Sequence, residues 1–474
     1  MELSERKKKV LRSIVDLYIR TAEPVGSKAI AELPDMKRYL LYTYSLAALL
    51  LLGSARSVHA QSNKVYHPLI HTLQTIVNDD WLLDDVITLG TDDWVNISFD
   101  HFSHDYHRFV YKIVHCNADW TPSDLFEVDY MDGFNGQPIE DYENSLNTTM
   151  LYTHYWLDLP NDKIQFKVSG NYRVEFYLDE EGDEDDDDSQ SASINAPFAN
   201  SAQPVAVACF RIVEPRMALQ TTISSNTDID TNLSHQQVSF TVGYNTSEVM
   251  DPATEIKPYI YQNSRTDNCV ALVKPTYTTP GRLEYTHNKS LIFPAGNEYR
   301  RFEIINVHYA TQGVDKISFF APYYHATLYT DTPRRNYSYD EDHDGRYLIR
   351  YNLAEHNDTE ADYIFTHFSL DMPHRPGGNF YLTGEFTYND FTPTYQAVYN
   401  EADQAYEATV MLKQGAYDFM YLWVPDGTTT GQTGPAEGNF YEAENEYQVY
   451  IYHRPFGGRY DRLVAAQQVK FAQE

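Results

Sequence analysis

The chain has 474 residues, with 68 Asp/Glu against 36 Lys/Arg and a formal net charge of −32 at pH 7. So acidic a chain disfavours phosphate backbones and anionic membrane faces as partners. Its three cysteines, an odd number, exclude a complete disulfide framework.

Residues 1–33 space Val10, Leu11, Ile14, Val15 and Tyr18 as one helical stripe, broken at Pro24 and Gly26. The stretch, RTAEPVGSKAI at 20–30 above all, resembles the start of the DNA-binding domain of the heat-inducible transcription repressor family. It covers about one helix and the beginning of the next, without a recognition helix. Residues 36–60 then read as a secretory signal peptide. Lys37 and Arg38 precede an apolar run through Leu52, and Ser57-Val58-His59-Ala60 forms a small-residue cleavage site. The apolar core is short for a bilayer span. The expectation is a foreign helical fragment at 1–35, a natural start at Met36, and an exported chain beginning near Gln61. The first 60 residues hold ten Lys/Arg and six Asp/Glu, so their removal takes the net charge from −32 to −36. Gln61 stands where a lipidated cysteine would be, so no lipid anchor and no direct membrane insertion are expected.

From residue 64 the pattern is strand after strand. VNISF (95–99), FVYKIV (109–114), KIQFKV (163–168), YRVEFYL (172–178), QVSFTV (237–242), KPYIYQ (257–262), YIFTHFSL (363–370) and YEATVML (406–412) alternate aromatic or β-branched residues with polar ones. The expected fold class is all-β, with two to three immunoglobulin-like antiparallel β-sandwiches in series. Breaks place them at 64–214, 216–355 and 360–474, with 425–446 as a long exposed loop. The run DEEGDEDDDD at 179–188 reads as a solvated loop.

Four features invite chemistry. His115, Asp119 and Asp124 suggest a metal or acid–base site, but without a second histidine at helical spacing or a nucleophile elbow the plainer reading is a long inter-strand connection. Asp340, Asp342 and Asp344 before Gly345 open like a calcium loop, a weak candidate because Tyr351 replaces the closing glutamate and a strand follows. Alternation puts Glu298 and Arg300 on one sheet face, where a surface ion pair is the simplest outcome. Cys116 and Cys209 fall in apolar runs that belong in one sheet, paired or simply buried, and Cys269 completes the set.

HCNADW (115–120), EVDYMDGF (127–134), IEDYENSLNTTMLYTHYWLDLPN (139–161) and SGNY (169–172) resemble the plug-protein family of the Bacteroidota type IX secretion system. The resemblance runs on through AGNEYRRFE (295–303), DEDHDG (340–345), ADY (361–363) and LKQGAYDFMYLW (412–423), and loosens over the last fifty residues. It implies a non-enzymatic periplasmic plug that seals the pore of a giant outer-membrane β-barrel translocon, without cofactor or nucleic-acid partner. Loop 115–150 is the expected recognition surface, with His115, Asp119, Trp120, Tyr130, Phe134 and Tyr142 as candidate partner-binding residues. The alternative is an exported carbohydrate-binding module, since GNFYLTGEFTYND (378–390) resembles sandwich modules that accompany starch-acting enzymes. Exposed aromatics on one face of the third sandwich would favour that alternative.

Overall fold

The strands expected from alternation are present in the computed structural model, which describes residues 63–179 and 203–472. The helical fragment and signal segment at 1–60, and the acidic run after Asp179, lie outside the described residues. KIQFKV is the weakest of the expected strands, pairing only at Gln165–Phe166.

The first sandwich packs two sheets over one core. One sheet orders Lys64–Val65, Ala206–Val213, Gly170–Leu178, Phe109–Cys116 and Gln137–Pro138, with Val86–Thr88 parallel to Ala206–Val213. The other orders Ile70–Val77, Val95–His101, Thr153–Leu159 and Asp141–Asn144. Period-two alternation sends Phe109, Tyr111 and Ile113 inward against Phe99, Tyr155 and Phe176. Edge-to-face rings, such as Phe99–Phe109 at 5.2 Å, fill the space between the sheets. Each such side chain contributes about 1.5–3 kcal/mol by leaving water.

The middle sandwich sets Ala218–Ser224, His235–Gly243, Arg282–Tyr285 and Tyr277–Thr279 against a sheet with a split origin. Ile256–Gln262 in that sheet pairs antiparallel with Glu446–His453, which pairs in turn with Arg462–Lys470. The last two strands therefore leave the 360–474 segment and complete the middle sandwich, where Tyr447, Val449, Ile451 and Val464 join Phe240, Ile260 and Leu283 in one core. Apolar alternation marks a strand but carries no information about its partner.

The third unit is a nine-stranded sheet running from Arg300–Ile304 through Gly415–Pro425, Gly378–Thr383, Gln396–Asn400, Ala405–Lys413, Tyr363–Asp371 and Tyr323–Leu328 to Val314–Phe320, with Tyr347–Ile349 also paired to Gly415–Pro425. Phe302 and Phe419 both meet Phe368, at 5.5 and 5.1 Å, so the sheet curls until its two ends share a core. Of the expected exposed loop 425–446, residues 426–430 are exposed, but 431–445 is buried or half-buried apart from Gln432 and Gly434. Glu437 pins it there, fully buried, accepting from Arg300 Nε at 3.0 Å and from Tyr421 N at 3.0 Å. The expected Glu298–Arg300 surface pair is likewise replaced. Both residues are buried, Arg300 on Glu437 and Asp331, and Glu298 accepting from Tyr337 Oη at 2.6 Å.

Candidate functional site

Residues 115–136 follow the central strand Phe109–Cys116 of the first sandwich, and the geometry divides the candidates by depth. His115 is buried, its Nδ1 2.8 Å from Ser123 Oγ and its Nε2 3.2 Å from the Ser169 carbonyl. Burial pushes its imidazole down to about 4, so it is neutral at physiological pH and packs as a ring against Tyr130 and Tyr172. Tyr130 is buried and donates from Oη to the Ile113 carbonyl at 2.8 Å. Trp120 is buried in a turn at φ +62°, with the Arg211 guanidinium 5.2 Å from its ring. Asp119 is exposed and closes that turn, accepting from Thr121 N and Oγ1 at 3.2 and 2.6 Å. Tyr142 stands apart on the other sheet, stacked on Tyr155 at 5.8 Å. Of the six, Phe134 points out furthest, 70% exposed, and Tyr142 is exposed to 43%.

The segment is fastened to the C-terminal hairpin of the middle sandwich. Asp461, 2% exposed, accepts from Ala118 N at 3.1 Å, Lys257 Nζ at 2.8 Å and Arg454 Nε at 2.8 Å. Arg454 also donates to Asn117 Oδ1 at 2.5 Å, and Tyr452 Oη to Asn171 Oδ1 at 2.6 Å. Arg459 reaches Asp129 at 3.0 Å, and the Tyr460 ring lies 5.3 Å from His115. Sequence reasoning missed these hairpin residues. The available signal was Phe456 before Gly457-Gly458, an aromatic residue at a turn with no core to enter.

A second feature lies where the three units meet. A cleft of about 100 Å³ is lined by Asp84, Asp85, Arg211, Arg346, Glu385 and Tyr450 among others. Arg346 pairs with Glu446 at 2.8 Å and Asp84 at 3.3 Å, while Arg211 sits 4.3 Å over the Tyr450 ring. Burial pushes Asp84 up to about 6 and Glu385 up to about 7, and raises Asp85 well above the usual carboxylate range. Cys209 also lines this cleft, but burial raises its thiol, so it is no ready nucleophile. The cleft is thus a charged joint in which Arg346 holds Asp84 and Glu446 while Arg211 lies against aromatic rings.

The three aspartates of the acidic turn are directed at different protein donors. Asp340 faces Arg301 at 3.4 Å, Asp342 accepts from the Tyr299 amide, and Asp344 faces Lys470 at 3.3 Å. Among the described residues no group of three or more His, Cys, Asp or Glu is arranged to hold a metal ion. No disulfide joins Cys116, Cys209 or Cys269.

Comparison with known proteins bears on both the fold and this segment. Residues 70–186 match the family model of the type 9 secretion system plug protein first domain. The crystal structure of a hypothetical protein from Parabacteroides merdae ATCC 43184 superposes with a TM-score of 0.80 at 42% identity, covering 86% of this chain and 99% of that one. Curated matches are short. The heat-inducible transcription repressor HrcA of Acholeplasma laidlawii is 38% identical over 87 residues, 16% of this chain and 24% of that protein. HrcA of Desulfitobacterium hafniense is 61% identical over 36 residues, 8% of this chain and 10% of that protein. The chain thus spans about a quarter or less of the curated relatives it matches.

Proposed function

On the premise that this chain belongs to the type 9 secretion system plug protein family, through its residues 70–186, we propose that it is a non-enzymatic periplasmic plug. It seals the pore of the outer-membrane β-barrel translocon of that system while no substrate is in transit. The family match is the observation that carries the reading. Three features of the chain support it. The net charge of −32 keeps a free pool soluble and suits a basic patch on the barrel. The units are cross-braced by buried ion pairs, which suits a rigid stopper better than a jointed chain. No described helix is long and apolar enough to cross a membrane, which is compatible with association with the envelope through a protein.

The carbohydrate-binding alternative loses its main support in the segment that suggested it, because Phe380, Leu382 and Phe386 are buried in the core that the curled sheet encloses. It keeps a smaller one, a half-exposed ring ladder of Phe365, His325 and His367 on the outer face of the same sheet.

The test is a C-terminal affinity tag in the native organism with gentle solubilisation of the envelope. A very large β-barrel recovered in near-equal amount supports the plug. Recovery of the chain alone, with retention on immobilised glycans, overturns it.

A further inference from the structure

The five most exposed large apolar side chains gather at one end. Phe456 is 91% exposed, Met250 84%, Phe126 73%, Phe134 70% and Val128 67%. They come from three separate stretches of sequence, and hydrogen bonds show that they are contiguous. Asn135 Nδ2 donates to Glu127 Oε1 at 2.8 Å, which sets Phe134 beside the Phe126–Val128 turn. One carboxylate oxygen, Asp129 Oδ2, accepts from Phe126 N at 3.1 Å and from Arg459 Nη2 at 3.0 Å, joining that turn to the hairpin that carries Phe456. Arg454 N donates to the Glu255 carbonyl at 2.9 Å and Met250 N lies 3.4 Å from Glu255 Oε2, and Met250 and Phe456 line one shallow cleft.

Single exposed apolar residues are ordinary, but a group this exposed on loop tips, drawn from separate elements, marks a contact surface. The charges around it select the occupant. The cations of this end are already engaged, Arg459 by Asp129, and Arg454 and Lys257 by Asp461. Asp124, Glu127 and Asp251 stand exposed beside the tips, and the bonds of Glu127 and Asp251 go to neutral donors, Asn135 Nδ2 and Ala253 N. An acidic rim on an acidic chain repels anionic lipid headgroups, and repels the same rim on a second copy.

We infer that this end of the molecule, with Phe126, Val128, Phe134, Met250 and Phe456 as its anchors, docks into an apolar recess with a basic rim on a protein of the secretion apparatus. The inference rests on the plug reading and adds to it the face that makes contact. It joins the matched first domain to a C-terminal hairpin outside the matched residues.

The test compares the tagged full-length chain with F126S/F134S and with F456S, all expressed in the native organism and purified from gently solubilised envelopes. F320S, on a 65% exposed side chain of a different face, serves as control. The expected result is recovery of the β-barrel with the unaltered chain and F320S, and a loss of about tenfold or more with the end-face variants at unchanged melting temperature. Equal recovery by all four chains overturns the inference while leaving the plug reading intact. No barrel with the unaltered chain overturns both. Cosedimentation of the unaltered chain with phosphatidylglycerol-containing vesicles, or a dimer that F456S dissolves, assigns the face to lipid or to a second copy and also overturns the inference.

Discussion

Lys413 Nζ lies 2.6 Å from Asp100 Oδ2, an ion pair in which both side chains are 1% exposed and which joins the third unit to the first sandwich. His154 Nδ1 at 2.7 Å and Tyr363 Oη at 2.6 Å complete the shell of Asp100, and Tyr363 also meets Thr72 Oγ1. Burial works against the Asp100 charge, but Lys413 and His154 outweigh it and hold the carboxyl below its usual range. K413M would leave a buried carboxylate without its cation and is expected to cost about 3–5 kcal/mol. Replacing both partners, as D100L/K413M, should cost less than K413M alone. Urea denaturation followed by tryptophan fluorescence measures both, and a K413M loss under about 1 kcal/mol would show the pair to be dispensable.

The cleft carboxylates predict a pH dependence with a definite sign. Glu385 ionises near 7 in the folded chain and near 4.5 when unfolded, so between those values the folded state holds more protons. Its contribution is fully present below about 4.5 and is lost as pH rises through 7. His101 and His115, lowered by burial to about 4 from 6.5, act oppositely, adding stability as pH rises from 4 to 6.5. The wild-type profile therefore mixes the two below pH 6.5, and E385Q separates them. E385Q is expected to exceed wild type by about 1–3 kcal/mol at pH 8 and to lose that advantage by pH 4.5. Calorimetry across pH 4.5–8 checks it. An E385Q effect that does not vary with pH would refute it.

Gly170 is a backbone requirement at the seam. Its φ is +145°, and a Cβ there would stand 2.4 Å from His115 Nε2 and 3.2 Å from the Asp461 carbonyl. G170A must displace a buried ring and disturb the joint between the first and middle sandwiches, for a loss of about 2–4 kcal/mol. At Gly427, φ +77°, a Cβ meets nothing within 4 Å, so G427A carries only the backbone cost of about 1–2 kcal/mol. Thermal melts of the two variants should rank accordingly.

Cys116 and Cys209 are expected to resist alkylation. Strand Gly170–Leu178 lies between theirs, with Asn171 opposite Cys116 and Arg173 opposite Cys209, so the two thiols are not paired neighbours. Burial pushes the Cys116 thiol up to about 12 and raises that of Cys209. Iodoacetamide at pH 8 should leave both unmodified in the native chain and label both in urea, as read by mass spectrometry.

Local alternation made the strands legible: FVYKIV and YRVEFYL lie side by side in register from Asn171↔Cys116 to Leu178↔Phe109. Pairing across long separations was not legible, as the union of Ile256–Gln262 with Glu446–His453 shows. Charge misled wherever it was buried. DEDHDG opens like a calcium loop, yet Asp342 and Asp344 are buried because a backbone amide and Lys470 receive them. At the candidate site the 115–136 segment was visible through its motifs. Its inward and outward members were not distinguishable, because His115 and Phe134 differ only in which neighbours the fold supplies.

The return of the C-terminal hairpin to the middle sandwich sets an order of events during synthesis. A chain emerging from its N-terminus presents Ile256–Gln262 early, with only Val270–Ala271 beside it and its other edge bare. That edge stays open while the third unit emerges and closes only when residues 446–470 arrive. Bare edges recruit foreign strands. The middle sandwich is therefore the last part of the molecule to become safe from aggregation, and a nascent chain cut short by even its final strands would carry an open seam.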